Sequence, residues 1–409
     1  MGAWFDAARF GMFVHWGHVS QRGSELSWPL VGGVPLLPYS NDDVGVAEYH
    51  ATAATFCPEV GAAERWAAAA ADAGMGYAVL TARHHDGFAL WPSLSTDWSI
   101  ARTPYRGDLV GEYVDAMRGA GLRVGLYLSL SDWHHPDYPA FGEEDRPYLT
   151  YLGRRADPEA WHRYLDSLFG QVKELLTGYG SIDYLWFDGQ WERSAEEWRA
   201  VELLAMIKAF QPDCMVNDRL PGSGDVATPE QAVPAVAPAG RWETCLTMNR
   251  SWGWTPADTE YKSARSLVHT LSETAGRGGN LLLNVSPDGS GALPAAQVER
   301  LSSIGEWMDR NGSAIRGTAP GLEPWQFYGP STRSDDCTYL LLLSRPYDTV
   351  SVRGVPAARS VRHLATGRDL AFERVVTAEA ALTGDPLGEL VITVPEALID
   401  PIATVIVVE

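Results

Sequence analysis

The chain has 409 residues, of which 45% are hydrophobic, so it can bury a large core and general disorder is excluded. Its formal net charge is −20, with no Lys/Arg run, which argues against nucleic-acid binding. No apolar stretch approaches the ~18 residues of a membrane span, and four scattered cysteines argue against a disulfide framework or Cys-type zinc site.

The first residues lack a basic region followed by an apolar stretch, which is the pattern of a signal peptide. We therefore expect a cytoplasmic protein, or a secreted one whose leader has been removed.

Helical stretches alternate with short apolar runs through the first three quarters of the chain, after an initial apolar run at Gly11–Val14. Continuous apolar runs between helices predict parallel strands buried on both faces. At least five such units favour a (β/α)8-type, TIM-like barrel, although periodicity alone leaves a doubly wound sheet open. The predicted helix–strand pairs are Ala62–Gly76 with Tyr77–Thr81, Asp108–Gly121 with Val124–Leu130, Glu159–Gly180 with Ile182–Phe187, Glu196–Phe210 with Met215–Val216, and Tyr261–Gly276 with Asn280–Val285.

The pattern changes at Thr318–Trp325, which is rich in Gly and Pro. Beyond it, short apolar runs separated by turn residues predict a small antiparallel β-sandwich. We predict a catalytic barrel over residues 1–320 and a sandwich over 321–409. The predicted strands of the sandwich are Tyr339–Ser344, Thr349–Val352, Leu390–Val394 and Ala403–Val408.

Polar and ionisable side chains follow several of the apolar runs, where a parallel barrel places its active site. Their convergence at one mouth is the main indication of a functional site, because none of them alone is specific. They are His15, His84, His85, Asp86, Tyr127 within its run, Asp188, Arg219, Glu243 and Asn284.

Asp188 ends an apolar run and precedes Gly189. An Asp in that position is often only a turn former or helix cap, but an exposed carboxylate there suits the nucleophile of a retaining glycosidase.

A second carboxyl group must then protonate the leaving oxygen. We favour Glu230, on a loop rich in Gly, Pro and Ala, over Glu243, which opens a strand and could be a fixed structural or binding carboxylate.

The adjacent His84 and His85 allow three interpretations: donors to sugar hydroxyls, a structural pair, or a metal site with His15 and Asp86. The first is favoured, because no HExxH, HxH or CxxC spacing supports metal. Arg219 either pairs with a nearby acid or orients a catalytic carboxylate. The chain also has 16 Trp and 16 Tyr, whose rings often stack on sugars but are common in cores.

Taken in order, these residues resemble the α-L-fucosidases of glycoside hydrolase family 29 from near residue 4 to about residue 318. The matching stretches include Arg9–Gly17, Thr81–Phe88, Val124–Tyr127, Leu185–Gly189, Asn217–Arg219, Trp242–Cys245, Ser251–Trp254 and Gly278–Val285.

The resemblance implies a retaining α-L-fucosidase that acts on fucosylated glycans without metal or cofactor, and it leaves a homo-oligomer open. It implies Asp188 as nucleophile, Glu230 as acid/base and Arg219 as a site arginine beside them. It further implies that fucose hydroxyls are bound by His15, Glu25, His84, His85 and Tyr127, and that the C5 methyl group meets Phe13, Trp186 and Trp252. Another α-L-glycosidase, such as an α-L-galactosidase, and a catalytically dead fucose-binding protein are the alternatives.

Overall fold

The computed structural model describes residues 2–34, 37–40, 44–139, 156–222, 224–355, 358–384 and 387–409. The α-helices are α1 (Ala3–Ala8), α2 (Val46–Ala51), α3 (Ala62–Asp72), α4 (Leu109–Gly119), α5 (Pro158–Gly178), α6 (Ala200–Phe210), α7 (Ala264–Gly276), α8 (Ala295–Asn311) and α9 (Ala378–Thr383). The first eight strands are β1 (Phe10–Val14), β2 (Tyr77–Arg83), β3 (Arg123–Ser129), β4 (Tyr184–Asp188), β5 (Met215–Val216), β6 (Val226–Ala227), β7 (Arg241–Thr247) and β8 (Asn280–Val285). The later strands are β9 (Ala319–Pro320), β10 (Ser331–Arg333), β11 (Thr338–Leu342), β12 (Thr349–Arg353), β13 (Val361–His363), β14 (Phe372–Val375), β15 (Glu389–Thr393) and β16 (Thr404–Val408).

The first eight strands form one parallel sheet in the order β5-β4-β3-β2-β1-β8-β7-β6. A parallel bridge between Asn217 and Val226 joins its two edges, so the sheet closes into a barrel. The predicted barrel is confirmed, and the doubly wound alternative is wrong because an open sheet would leave these edges unpaired.

Strands β1 to β4 are almost entirely buried on both faces, as continuous apolar runs require. Helices alternate with strands as predicted except between β5 and β7, where the described residues contain no α-helix. Helix α6 begins at Ala200 instead of Glu196, because Arg199 has a left-handed backbone (φ 50°) that interrupts the helical turn.

The lower end of the barrel is closed by α1. The ring of Phe5 packs 5.7 Å from that of Tyr77 and 6.1 Å from that of Tyr184, both inside the barrel. Helix α1 thus packs against residues inside the barrel at the end opposite the carboxyl ends of the strands.

The C-terminal strands form a five-stranded sheet in the order β13-β16-β11-β10-β9 and a three-stranded sheet in the order β12-β15-β14. All their pairings are antiparallel, which confirms the predicted sandwich. A separate apolar core that includes Leu340, Val350, Ile392 and Ile406 lies between the sheets. The proposed boundary at residue 320 falls at the end of β9, and the division into two domains stays a prediction.

The sandwich docks on the helices of the barrel through specific hydrogen bonds. Trp307 of α8 donates its indole N–H to the carbonyl of Ala403, and His269 of α7 contacts the carbonyl of Ile402, each at 2.8 Å. Within the described residues, no helix has the length and apolar character needed to cross a bilayer.

Candidate active site

A pocket of about 280 Å³ opens at the carboxyl ends of the barrel strands. The position follows from the parallel fold, since every strand delivers its last residues to this face. Ten of the residues singled out in the sequence line it: Phe13, His15, His84, His85, Tyr127, Trp186, Asp188, Arg219, Glu230 and Trp252.

Arg219 joins the two candidate catalytic carboxyl groups. Its Nη1 lies 2.9 Å from Oδ1 of Asp188, and its Nη2 lies 2.7 Å from Oε2 of Glu230. Tyr127 donates its hydroxyl to Oδ2 of Asp188 at 2.9 Å. Both Asp188 oxygens therefore accept bonds suited to a carboxylate, and its position relative to Glu230 is set by one planar guanidinium.

Trp186 and Thr228 hold the guanidinium of Arg219 in place. It lies 4.6 Å from the ring centre of Trp186, and its Nε donates to the hydroxyl of Thr228 at 3.2 Å. Trp186 stacks in turn on Tyr127, with ring centres 5.4 Å apart. Aromatic packing and hydrogen bonds thus fix the arginine that aligns the carboxyl groups.

Three histidines form another part of the wall, and each is held through its Nδ1 atom. The partners are Asn284 for His15 at 2.6 Å, and serine hydroxyls for His84 (Ser27, 2.6 Å) and His85 (Ser129, 2.7 Å). Nδ1 of His15 must donate, because the amide oxygen of Asn284 only accepts, so Nε2 of His15 is an acceptor.

Burial lowers the pKa of His15 and of His85 to about 3, and it lowers the pKa of His84 in the same direction. The rings are therefore neutral near pH 7. Neutral imidazoles with one anchored nitrogen are well suited to hydrogen-bond a polyhydroxylated ligand.

Apolar rings complete the inner wall. Phe13 packs 5.0 Å from Trp186 and 6.0 Å from Trp252, measured between ring centres. The carbonyl of Trp252 accepts a bond from Asn284 at 2.8 Å, which links this aromatic to the support of His15.

Glu25 lies behind the wall and is absent from the pocket lining, and its contact with a sugar stays a prediction. Its fully buried carboxyl group accepts the backbone N–H groups of Trp252 at 2.6 Å and Gly253 at 2.8 Å. Burial raises the pKa of Glu25 to about 8. Glu25 anchors the segment that presents Trp252.

Glu243, the alternative acid/base, is also fully buried and does not line the pocket. Its carboxyl group accepts bonds from Tyr77 (2.5 Å), Tyr184 (2.9 Å) and the indole of Trp186 (2.8 Å). It sits lower in the barrel than Cys245, the next inward-facing residue of β7, which does line the pocket.

Asp86, the partner in the metal interpretation, is likewise outside the lining and accepts a bond from the hydroxyl of Tyr49 at 2.8 Å. Among the described residues, no cluster of three His, Cys, Asp or Glu has a geometry that could hold a metal ion.

Four further residues line the pocket that the sequence did not single out as site residues: Trp28, Leu37, Trp191 and Cys245. Trp191 follows Asp188 by three residues, and an aromatic so close to a strand-end carboxylate could have been predicted to line the pocket. Trp28 comes from a segment distant in sequence, so only the fold brings it to the mouth.

Comparisons with known proteins identify the family to which the chain is similar. The family model described as Alpha-L-fucosidase matches residues 1–313. The tissue alpha-L-fucosidase of Rattus norvegicus is 30% identical over 420 aligned residues, covering 96% of this chain and 86% of that protein. An alpha-L-fucosidase of Branchiostoma floridae is 31% identical and covers 87% of this chain and 81% of its own.

Solved structures give the same result. Alpha-L-fucosidase isoenzyme 1 from Paenibacillus thiaminolyticus superposes with a TM-score of 0.87 at 35% identity, covering 100% of this chain and 98% of that one. A family 29 alpha-L-fucosidase from Bacteroides thetaiotaomicron, trapped as a covalent intermediate with 2-fluoro-fucosyl fluoride in a Glu-to-Gln mutant, superposes with a TM-score of 0.84 at 26% identity. It covers 100% of this chain and 95% of that one.

Since the family model covers three quarters of the sequence and full-length relatives align across nearly all of it, this chain belongs to the α-L-fucosidase family of glycoside hydrolases.

Proposed function

We propose that the protein is a retaining exo-α-L-fucosidase that removes terminal α-L-fucose from fucosylated oligosaccharides or glycoconjugates. The observation that carries this proposal is the bridge of Arg219 between Asp188 and Glu230 at the mouth of the barrel. A retaining glycosidase needs two carboxyl groups held in a fixed relation on either side of the scissile bond.

In the first step, Asp188 attacks the anomeric carbon while Glu230 gives its proton to the departing glycosidic oxygen, so a fucosyl ester forms and the aglycone leaves as an alcohol. In the second step, Glu230 takes a proton from water, whose oxygen attacks the same carbon and displaces Asp188. Fucose is released with its original anomeric configuration.

The assignment of roles rests on exposure and bonding. Asp188 accepts hydrogen bonds from Tyr127 and Arg219, which hold its carboxyl group in place for attack. Glu230 has 38% of its side chain exposed and can reach both a leaving group and water at the rim. The covalent intermediate described for the Bacteroides thetaiotaomicron relative supports a double displacement.

The inner wall supports fucose as the sugar. Phe13, Trp186 and Trp252 offer an apolar surface for the C5 methyl group of a 6-deoxy sugar. A 6-hydroxyl group against that surface would lose its hydrogen bonds, which costs ~1–3 kcal/mol. The neutral histidines that line the same pocket supply partners for the ring hydroxyls.

The test is the hydrolysis of 4-nitrophenyl α-L-fucoside and the matching α-L-galactoside, with the first-formed anomer identified by NMR. We expect a preference of at least tenfold for the fucoside, and the α-anomer first. Asp188→Ala should lose at least about 10³-fold in kcat/KM, whereas Glu202→Ala, which removes an exposed carboxylate of α6, should match the parent. Activity of Asp188→Ala within tenfold of the parent, or inversion, would show that the assignment is wrong.

A further inference from the structure

The walls of the pocket change in exposure from floor to rim. Phe13, His85, Tyr127 and Trp186 are buried, whereas Trp191 is 40% exposed and the side chain of Glu230 is 38% exposed. The pocket as a whole has a volume of about 280 Å³. An aromatic ring that is partly exposed at the rim of a polar pocket offers an apolar surface on which a ligand ring can stack.

Trp191 is presented by a rigid turn. Gly189 has a φ of 75°, and a Cβ there would lie 2.6 Å from the hydroxyl of Ser131, so the position requires glycine. The chain turns there from Asp188, the last residue of β4, into the short 3-10 helix Gln190–Glu192, which carries Trp191.

Glu192 fixes the other end of this turn. Its buried carboxyl group accepts the indole N–H of Trp133 at 2.8 Å and the hydroxyl of Tyr138. Trp133 packs 4.9 Å from the ring of His85, so the turn is tied to the inner wall of the pocket.

The ring of Trp191 has a defined orientation at the mouth. Its plane lies within 15° of that of Trp28, with ring centres 6.5 Å apart, and it meets the edge of His85 at 5.5 Å. The planes of the two indoles are thus nearly parallel at the rim, and Trp191 contacts His85 of the proposed fucose site.

We infer that Trp191, with Trp28 beside it, is the stacking platform for the ring next to fucose, either the adjoining sugar of a glycan or an aryl aglycone. The inference rests on the proposed function, because an exo-acting enzyme leaves everything beyond the glycosidic oxygen outside the pocket. Glu230, Trp28 and Trp191 line the same pocket, with Glu230 and Trp191 at its exposed rim, where the adjoining ring leaves the pocket. Flat C–H or aryl faces gain both burial and ring stacking on such a surface.

The test compares two fucosyl donors in the same protein preparation. 4-Nitrophenyl α-L-fucoside carries a ring that can reach Trp191, whereas the fluorine of α-L-fucosyl fluoride cannot. The measured quantity is the ratio of kcat/KM for the aryl fucoside to kcat/KM for the fluoride. This ratio is independent of the folded fraction of a variant, since both substrates report on the same folded molecules.

We expect Trp191→Ala to lower this ratio at least tenfold and Trp191→Phe, which keeps a flat ring, to stay within threefold of the parent. Trp325→Ala is the matched control, because Trp325 is an exposed indole (66%) outside the pocket lining, and it should leave the ratio unchanged. If the parent cleaves both donors and Trp191→Ala keeps the parental ratio, the platform is refuted while the proposed function stands. If the parent cleaves neither donor, the proposed function itself fails, and the platform with it.

Discussion

The indole N–H of Trp186 donates a 2.8 Å hydrogen bond to the carboxyl group of Glu243, deep inside the barrel. Trp186 carries the guanidinium of Arg219 on its ring face, and Arg219 holds the two proposed catalytic carboxyl groups. Glu243 therefore acts on the site from a distance, by fixing the aromatic floor on which the arginine rests. Four predictions follow from the way these and the neighbouring groups are held.

The first prediction concerns the stability contributed by Glu243. Burial raises its pKa to about 7, against the partly compensating hydrogen bonds from Tyr77, Tyr184 and Trp186. Because the folded pKa exceeds the unfolded value of 4.5, this contribution is fully present below pH 4.5 and is lost as pH rises to 7. The free energy of unfolding of the parent, relative to that of Glu243→Gln, should fall by up to about 3 kcal/mol between pH 4.5 and 7.5.

Urea unfolding of both proteins at the two pH values measures this difference. Glutamine suits the comparison, since its amide oxygen can accept from Tyr184 and Trp186 while its NH₂ donates to the hydroxyl of Tyr77. The buried histidines are present in both proteins, so their effect on the difference in unfolding free energy cancels. A pH-independent difference would mean that Glu243 is ionised in the folded protein throughout this range.

The second prediction separates the two candidates for the acid/base. Glu230→Ala should lose activity on 4-nitrophenyl α-L-fucoside and regain part of it in added azide, because the small anion can enter the space left at the rim and attack the fucosyl-enzyme. Glu243→Ala should lose activity without azide rescue, since its carboxyl group lies below the pocket. Fucosyl azide formation in the Glu243 variant, and none in the Glu230 variant, would reverse the assignment.

The third prediction concerns the fork of Arg219. Lysine keeps the charge but cannot bond Asp188 and Glu230 with two separate nitrogens, and it loses the flat contact with Trp186. Loss of one charge-assisted bond costs ~2–3 kcal/mol, so kcat/KM of Arg219→Lys should fall about 100-fold. Arg102→Lys, in an exposed ion pair with Asp97, is the control and should match the parent. A loss below threefold for Arg219→Lys would mean that charge alone is sufficient.

The fourth prediction concerns Glu25. Its removal leaves the N–H groups of Trp252 and Gly253 without their acceptor, so the wall that carries Trp252 should loosen. We expect Glu25→Ala to raise KM for the aryl fucoside at least fivefold, with a smaller change in kcat, and to lose ~2–4 kcal/mol of unfolding free energy. Substrate kinetics and urea unfolding measure the two effects, and an unchanged KM together with lowered stability would show that Trp252 does not depend on this anchor.

The sequence by itself determined the alternation of helices and strands, because continuous apolar runs and amphipathic stretches are local patterns. It also placed His15, His84, His85, Asp188 and Arg219 at the mouth, since the carboxyl ends of parallel strands meet on one face whatever the details of packing. The sequence did not predict strand β6, because its two residues give almost no periodic signal.

The tertiary structure alone decided which carboxyl groups face the pocket. Glu243 and Cys245 point inward from the same strand, but a rise of ~3.3 Å per residue along a strand tilted by about 36° puts Glu243 about 5 Å deeper, among tyrosine hydroxyls. Glu25 holds a backbone segment more than 200 residues distant in sequence. Local sequence carries neither the depth of a side chain in a closed barrel nor its long-range partners, and these decide whether a carboxyl group faces the ligand or supports the wall behind it.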